Sequence, residues 1–172
     1  VTVSKLAATS CEDVRVHVDR PGATVRARRG YAPRSDEDRA RDRVQATLRT
    51  NLSYGGIPTR LQTAPPVRAK AGRYSLPISV TFPASALTFS PGGGDRRAAA
   101  DVYIAALDDS GRMSEITKNE ATFTLPAGTD ETTPLVYNAT LTTRKGNHRI
   151  VVNVRDKVTG RMGTAKADLR VE

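Results

Sequence analysis

The chain is 172 residues long, with 38% hydrophobic residues, 5% aromatic residues, no Trp and a formal net charge of +9. That length suits one domain, or one domain with an appended element, around a modest core of Val, Ile, Leu and Ala. No apolar run approaches a membrane-spanning length, a single Cys excludes an intrachain disulfide, and two His with one Cys exclude a Cys/His metal cluster.

The sequence opens at Val1 without an initiator Met, a basic n-region or an apolar signal segment, so a fragment or a processed product is expected. Val14, Val16 and Val18 alternate with Arg15 and His17. After Arg20-Pro21-Gly22-Ala23 the alternation resumes, with Val25 and Ala27 against Arg26 and Arg28. Proline presets φ in a turn and glycine accepts the positive φ that follows it. Two short strands around a Pro-Gly turn are therefore predicted over residues 14–29.

Ser35 is a good helix N-cap, and Asp36, Glu37 and Asp38 place negative charge at the positive end of the helix dipole. Ala40, Val44, Thr47 and Leu48 recur at helical spacing, which predicts a helix over residues 36–49. Its apolar stripe is thin, so it should lie on a larger surface. Residues 53–56, Ser-Tyr-Gly-Gly, end it.

From Ile57 onward the pattern is that of strands. Residues 57–62 and 67–70 are short candidates on either side of Pro65-Pro66. Tyr74, Leu76, Ile78, Val80 and Phe82 alternate without error against Ser75, Pro77, Ser79 and Thr81. Pro77 has no N–H to give a ladder, so this strand is expected at a sheet edge or bulged there. Leu87 and Phe89 suggest a short piece, and residues 90–95 (Ser-Pro-Gly-Gly-Gly-Asp) a loop. Residues 100–107 are apolar enough for a central strand, and 112–116 a return strand after the turn at 108–111. Ala121, Phe123 and Leu125, then Leu135, Tyr137, Ala139 and Leu141, give two further apolar rows across a polar loop at 126–134. Turns at 145–147 and 156–160 lead into Ile150, Val152 and Val154 and into Ala165, Ala167, Leu169 and Val171. Several short strands joined by Gly/Pro/Asp loops imply a mainly β fold, an antiparallel two-sheet immunoglobulin- or fibronectin-like sandwich. Its two sheets face one another to keep the apolar rows dry. The expected divisions are a strand pair over 1–33, a helix and linker over 34–56, and the sandwich over 57–172.

Charge is uneven. Residues 1–73 hold 15 Lys and Arg against 7 Asp and Glu, while residues 74–172 hold 12 against 11. Arg-rich stretches can bind phosphates, but here no aromatic residues are interleaved and Asp38 and Asp42 interrupt Arg41 and Arg43. Nucleic-acid binding is not expected. The triple glycine at 92–94 lacks the following Lys and Ser/Thr of a phosphate loop. Asp101, Asp108 and Asp109 lack calcium-loop spacing, and a turn is the expected role of the last two. No Gly-x-Ser-x-Gly occurs, and neither His17 nor His148 has a recognisable triad setting. No catalytic residue, metal ligand or cofactor is assigned, and Cys11 is read as a free thiol.

The run Val14, Val16, Pro21, Gly22, Val25, Arg26, Ala27, Arg28, Gly30 and Tyr31 resembles the end of the von Willebrand factor A-related domain of acidobacterial secreted proteins. In that family the run closes the A-type domain and a long tail follows, similar to this chain from Ala32 onward. The family's Asp-x-Ser-x-Ser metal motif is absent; the nearest string, residues 108–112, has Arg112 where the second Ser should stand. The resemblance implies a non-enzymatic, extracytoplasmic sandwich module with a spacing or protein-contact role, partnered by an upstream A-like domain or another protein. A carbohydrate- or envelope-binding sandwich and an accessory domain of a secreted hydrolase are the alternatives. The first of these needs aromatic platforms, for which only Tyr31, Tyr54, Tyr74, Tyr103 and Tyr137 and no Trp are at hand.

Overall fold

The computed structural model describes residues 2–6, 12–22, 24, 26, 30–31, 34–50, 52, 54–91 and 94–172. The chain divides into two units, Val1–Asp38 and Arg39–Glu172.

In the first unit, β1 (Thr2–Leu6), β2 (Glu12–His17) and β3 (Gly30–Tyr31) form an antiparallel sheet in that order. The alternation over Val14–Val18 does mark a strand, and the turn at Pro21-Gly22 forms with Gly22 at φ 75°. Strand β2 also has a partner on its other side. Val16 lies opposite Val3 and Val14 opposite Lys5, so β2 zips onto β1 from Asp13 to His17. Among the described residues the returning chain meets it at Gly30 and Tyr31, opposite Asp13 and Glu12. Thr24 and Arg26 lie outside any strand, and residues 25 and 27–29 fall outside the described ones. Alternation states which residues extend, but not which extended segment they meet.

Helix α1 (Asp36–Thr50) starts where its cap chemistry puts it. The Asp38 N–H donates to Ser35 Oγ at 3.0 Å, and the Ser35 hydroxyl donates back to Asp38 Oδ2 at 2.7 Å. This is a reciprocal cap with Asp in the place of the usual Glu. Its buried residues are Ala40, Val44, Thr47 and Leu48, the stripe read from spacing.

The rest of the second unit is a sandwich of two antiparallel sheets. One contains β4 (Arg60–Thr63), β5 (Val67–Arg68), β6 (Arg73–Pro83) and β9 (Pro134–Arg144). Here β4 and β5 lie along one side of β6, and β9 along the other. The second sheet has the order β11-β10-β7-β8, with β7 at Arg96–Asp108, β8 at Thr117–Leu125, β10 at Gly146–Asp156 and β11 at Met162–Val171. Sequential strands change sheet between β6 and β7, β8 and β9, and β9 and β10, as in immunoglobulin-like sandwiches.

The core lies between the sheets. Leu76, Ile78, Val80 and Phe82 of β6 face Val102, Ile104, Ile150, Val152 and Val154 of β7 and β10. Phe82 and Phe123 meet edge to face, with centroids 5.4 Å apart at 80°. A second, smaller core lies on the outer face of the larger sheet, where Ala40, Val44 and Leu48 of α1 pack on Tyr103, Ala105, Val151 and Met162. Two-sided burial explains why residues 100–107 read as a continuous apolar run.

Three local expectations are corrected. Pro77 lies on a central strand with neighbours on both sides. Its carbonyl accepts from Ala64 N–H at 3.0 Å, so its nitrogen also points toward β4 and β5. Strand β4 ends at Thr63 and the opposing chain breaks at Pro65-Pro66, so the missing donor falls at the end of that ladder and not within it. Leu87 and Phe89 form no strand; a 3₁₀ turn at Ala84–Ala86 carries the chain over the core with Leu87 buried. Residues 112–116 contribute one bridge, Leu107 to Met113, and not a strand.

Backbone proximity also fixes the chain between α1 and β4. Ile57 N–H donates to the Met162 carbonyl and Thr164 N–H to the Tyr54 carbonyl, at 3.1 and 3.2 Å. A Cβ on Gly163 would fall on the Ile57 carbonyl oxygen, and one on Gly56 on the Met162 carbonyl oxygen. Both positions need hydrogen for the segments to approach.

Candidate functional site

Of the three aspartates weighed as cation ligands, Asp101 is held far from the adjacent Asp108 and Asp109. Asp101 lies on β7, about 23 Å along the strand from Asp108 at roughly 3.3 Å per residue. It is buried beside Arg155, whose Nη1 is 3.1 Å from its carboxylate. Asp108 is the hub of the turn after β7. It accepts from the Ser110 hydroxyl at 2.6 Å, from the Arg112 N–H at 2.9 Å and from the Arg112 guanidinium at 3.2 Å. Those donors, the Ser110 hydroxyl foremost, hold its carboxyl down to about 2. Asp109 Oδ2 accepts from the Asn147 N–H and side-chain amide, both at 3.3 Å, tying this turn to β10. Among the described residues no group of three His, Cys, Asp or Glu side chains could hold a metal ion.

His148 is buried at the start of β10, and its Nε2–H donates to the Arg144 carbonyl at 2.7 Å. It shares a cleft of about 410 Å³ with Ser114. The Ser114 hydroxyl accepts from Ala106 N–H and donates to the Glu115 carbonyl, both at 3.0 Å. Both groups are thus turned to the backbone, and no hydrogen bond joins them. His17 is exposed, 2.9 Å from Asp19.

Part of the basic excess at the start of the chain is used in packing. Arg41 Nη1 donates to the Ile116 carbonyl at 3.1 Å, and the Arg43 guanidinium lies 5.4 Å over the Tyr54 ring.

Two unfilled spaces border β9. One, of about 740 Å³, lies on the outer face of the smaller sheet, around Gln62, Pro77, Ser79, Asn138 and Thr140. None of those side chains is charged. The other, of about 720 Å³, opens between the sheets, with Tyr137, Ala139 and Leu141 of β9 on one wall and Ile104, Thr117 and Asn119 on the other. The inward row of β8 is polar in its first half and becomes apolar only at Ala121, so the two sheets do not close there. Burial raises the Tyr137 phenol above its ordinary value. The sequence rows of β8 and β9 hold this information, but facing Thr117 and Asn119 with Tyr137 and Leu141 requires the pairing of sheets.

No protein-family model and no curated protein matches the chain. Among solved structures, "X-ray structure of Northeast Structural Genomics Consortium target SoR45" is similar at 13% identity, over 68% of this chain and 86% of that chain, with a TM-score of 0.42.

Proposed function

We propose that this chain is a non-enzymatic, extracytoplasmic β-sandwich module with a spacing or protein-contact role beside a von Willebrand A-like domain. The observation that carries the contact role is the asymmetry of the sandwich. The larger sheet is covered by α1, whereas among the described residues of the second unit nothing covers the outer face of the smaller sheet, which is uncharged from Ser75 to Thr81 on β6 and from Val136 to Thr142 on β9. In a chain of net charge +9, such a neutral face suits association with another protein surface. The aspartates and the His148–Ser114 pair are engaged in turns, ion pairs and backbone contacts, which supports a role without catalysis. The neighbour and the compartment rest on the resemblance at residues 14–31.

A carbohydrate-binding sandwich is less well supported. Tyr103 is fully buried, Tyr54 lies under Arg43, and Tyr74 and Tyr137 are half-buried. Among these, none stands out as a flat sugar platform.

The test is the reading frame that encodes the chain. An A-type domain preceded by an export signal is expected upstream of Val1. A cytoplasmic enzyme domain fused there would overturn the proposal.

A further inference from the structure

We infer that the free edge of β9 is a docking site for an extended, acid-bearing peptide segment of a partner protein, added as an extra strand. The inference rests on the protein-contact reading and names its surface and partner chemistry.

The register decides which backbone groups are on offer. Pro77 turns its carbonyl to Ala64 and therefore away from β9. Its partner Thr140 is then in a non-hydrogen-bonded pair, as are Val136, Asn138 and Thr142, opposite Thr81, Ser79 and Ser75. Their N–H and C=O groups point away from β6. Among the described residues no backbone bond reaches them from that side.

The other edges of the sandwich carry devices that discourage strand addition. The β4–β5 edge is broken by Pro65-Pro66 and flanked by Arg60 and Arg68. The β8 edge carries Lys118 and Glu120, and β11 carries Lys166, Asp168 and Arg170. Strand β9 has no charge, bulge or proline between Pro134 and Arg144, and pairs in unbroken register. The 720 Å³ opening runs along it, so an added strand could place alternate apolar side chains against Tyr137, Ala139 and Leu141.

The end of the groove fixes the sign of the partner. Arg73 and Arg144 are directly opposite one another across β6 and β9, and neither has an ion pair among the described residues. Like charges so placed repel. Both line the 410 Å³ cleft that continues the groove, with His148, Thr143 and the mutually paired Asp108 and Arg112, which leave the cleft net positive. Thr143 is 6% exposed and its hydroxyl has no hydrogen-bond partner. A carboxylate there would bridge the arginines and give that hydroxyl an acceptor. Strand β9 itself, residues 134–144, contains no acid, so a second copy paired within the strand would leave the arginines unpaired.

The probe is an N-acetylated, C-amidated peptide with an Asp-Asp head followed by alternating Val and Thr, read by amide hydrogen exchange on the whole chain. Saturable protection of Asn138, Thr140 and Thr142 amides is expected. The variant Thr140→Pro removes an outward N–H and no bond to β6, and should weaken the probe about tenfold or more. Arg144→Glu should weaken the acid-headed probe by a similar factor and leave a Ser-Ser-headed twin unchanged. Absence of saturable protection, indifference to Thr140→Pro, or equal loss for both peptides in Arg144→Glu would each overturn the inference. So would protection of the same amides that rises with protein concentration alone, which marks a second copy as the occupant. Failure here leaves the contact role to the neutral sheet face, whereas failure of the reading-frame test would remove the proposed neighbour but not peptide binding at β9.

Discussion

Removing Asp156 should be costly to the sandwich. It is fully buried at the end of β10. Its carboxylate accepts from Thr88 N–H at 3.3 Å and Thr88 Oγ1 at 2.9 Å, and from Thr159 N–H at 3.0 Å and Thr159 Oγ1 at 2.5 Å. One side chain thus ties the β6–β7 connection to the β10–β11 turn. In Asp156→Ala these donors lose their acceptor. The exposed Thr159 recovers water, whereas the half-buried Thr88 does so incompletely. Hydrogen bonds to a charged group contribute about 1.5–3 kcal/mol each and do not add in full, so a loss of about 3 kcal/mol is expected. That corresponds to a fall in Tm of about 6–12 °C for a domain of this size. Asp156→Asn keeps an acceptor and should lose roughly half as much. Burial pushes this carboxyl up, but the bonds from Thr159 and Thr88 together outweigh it and hold its pKa below the ordinary value. A carboxyl depressed in the folded state contributes stability that is complete above its unfolded pKa, about 3.9, and is lost as pH falls through the folded value. Urea unfolding of the wild type should therefore show a loss of stability below about pH 4 that is reduced in Asp156→Asn. An Asp156→Ala variant within about 0.5 kcal/mol of wild type, with an unchanged acid limb, would refute the anchoring role.

Gly163→Ala should destabilise the chain by about 1–3 kcal/mol in denaturant, because its methyl falls on the Ile57 carbonyl oxygen; a neutral result would show that residues 54–57 do not lie against β11. Leu48→Ala should cost about 2–3 kcal/mol and change the emission of the buried Tyr103 it packs with; a loss under about 0.5 kcal/mol would mean that α1 does not cover the larger sheet. Arg144→Glu should stabilise the free chain by about 0.5–1 kcal/mol, turning the Arg73 repulsion into a cross-strand ion pair. That gain should shrink in high salt, and a salt-independent effect would exclude the charge pair as its cause.

Much of the sandwich was legible from alternation. The rows of β6, β8, β9, β10 and β11, and the helix stripe Ala40, Val44, Thr47 and Leu48, are strong because one face of each must be dry. What alternation does not carry is pairing. It could not show that β2 zips onto β1, or that Pro77 faces a break in its neighbour and not solvent. Both depend on segments distant in sequence. Residues 112–116 misled because Met113 and Ile116 are apolar without the alternation's continuity; they pack against the helix core from a loop. The opening beside β9 was equally hidden. Thr117 and Asn119 fell outside every row read from alternation, and only the register of β8 on β7 sets them across from Tyr137 and Leu141. No sequence rule marked Arg73 and Arg144 as partners, since 71 positions separate them and only the register sets them opposite.

Amide hydrogen exchange along β9 in the free chain tests the open edge most directly. The bonded pairs with β6 should protect Leu135, Tyr137, Ala139 and Leu141, while Val136, Asn138, Thr140 and Thr142 exchange fast. That two-residue alternation, independent of protein concentration, is the expected result. Uniform protection from Leu135 to Thr142 in the free chain would show the edge already occupied and would contradict a docking strand at β9.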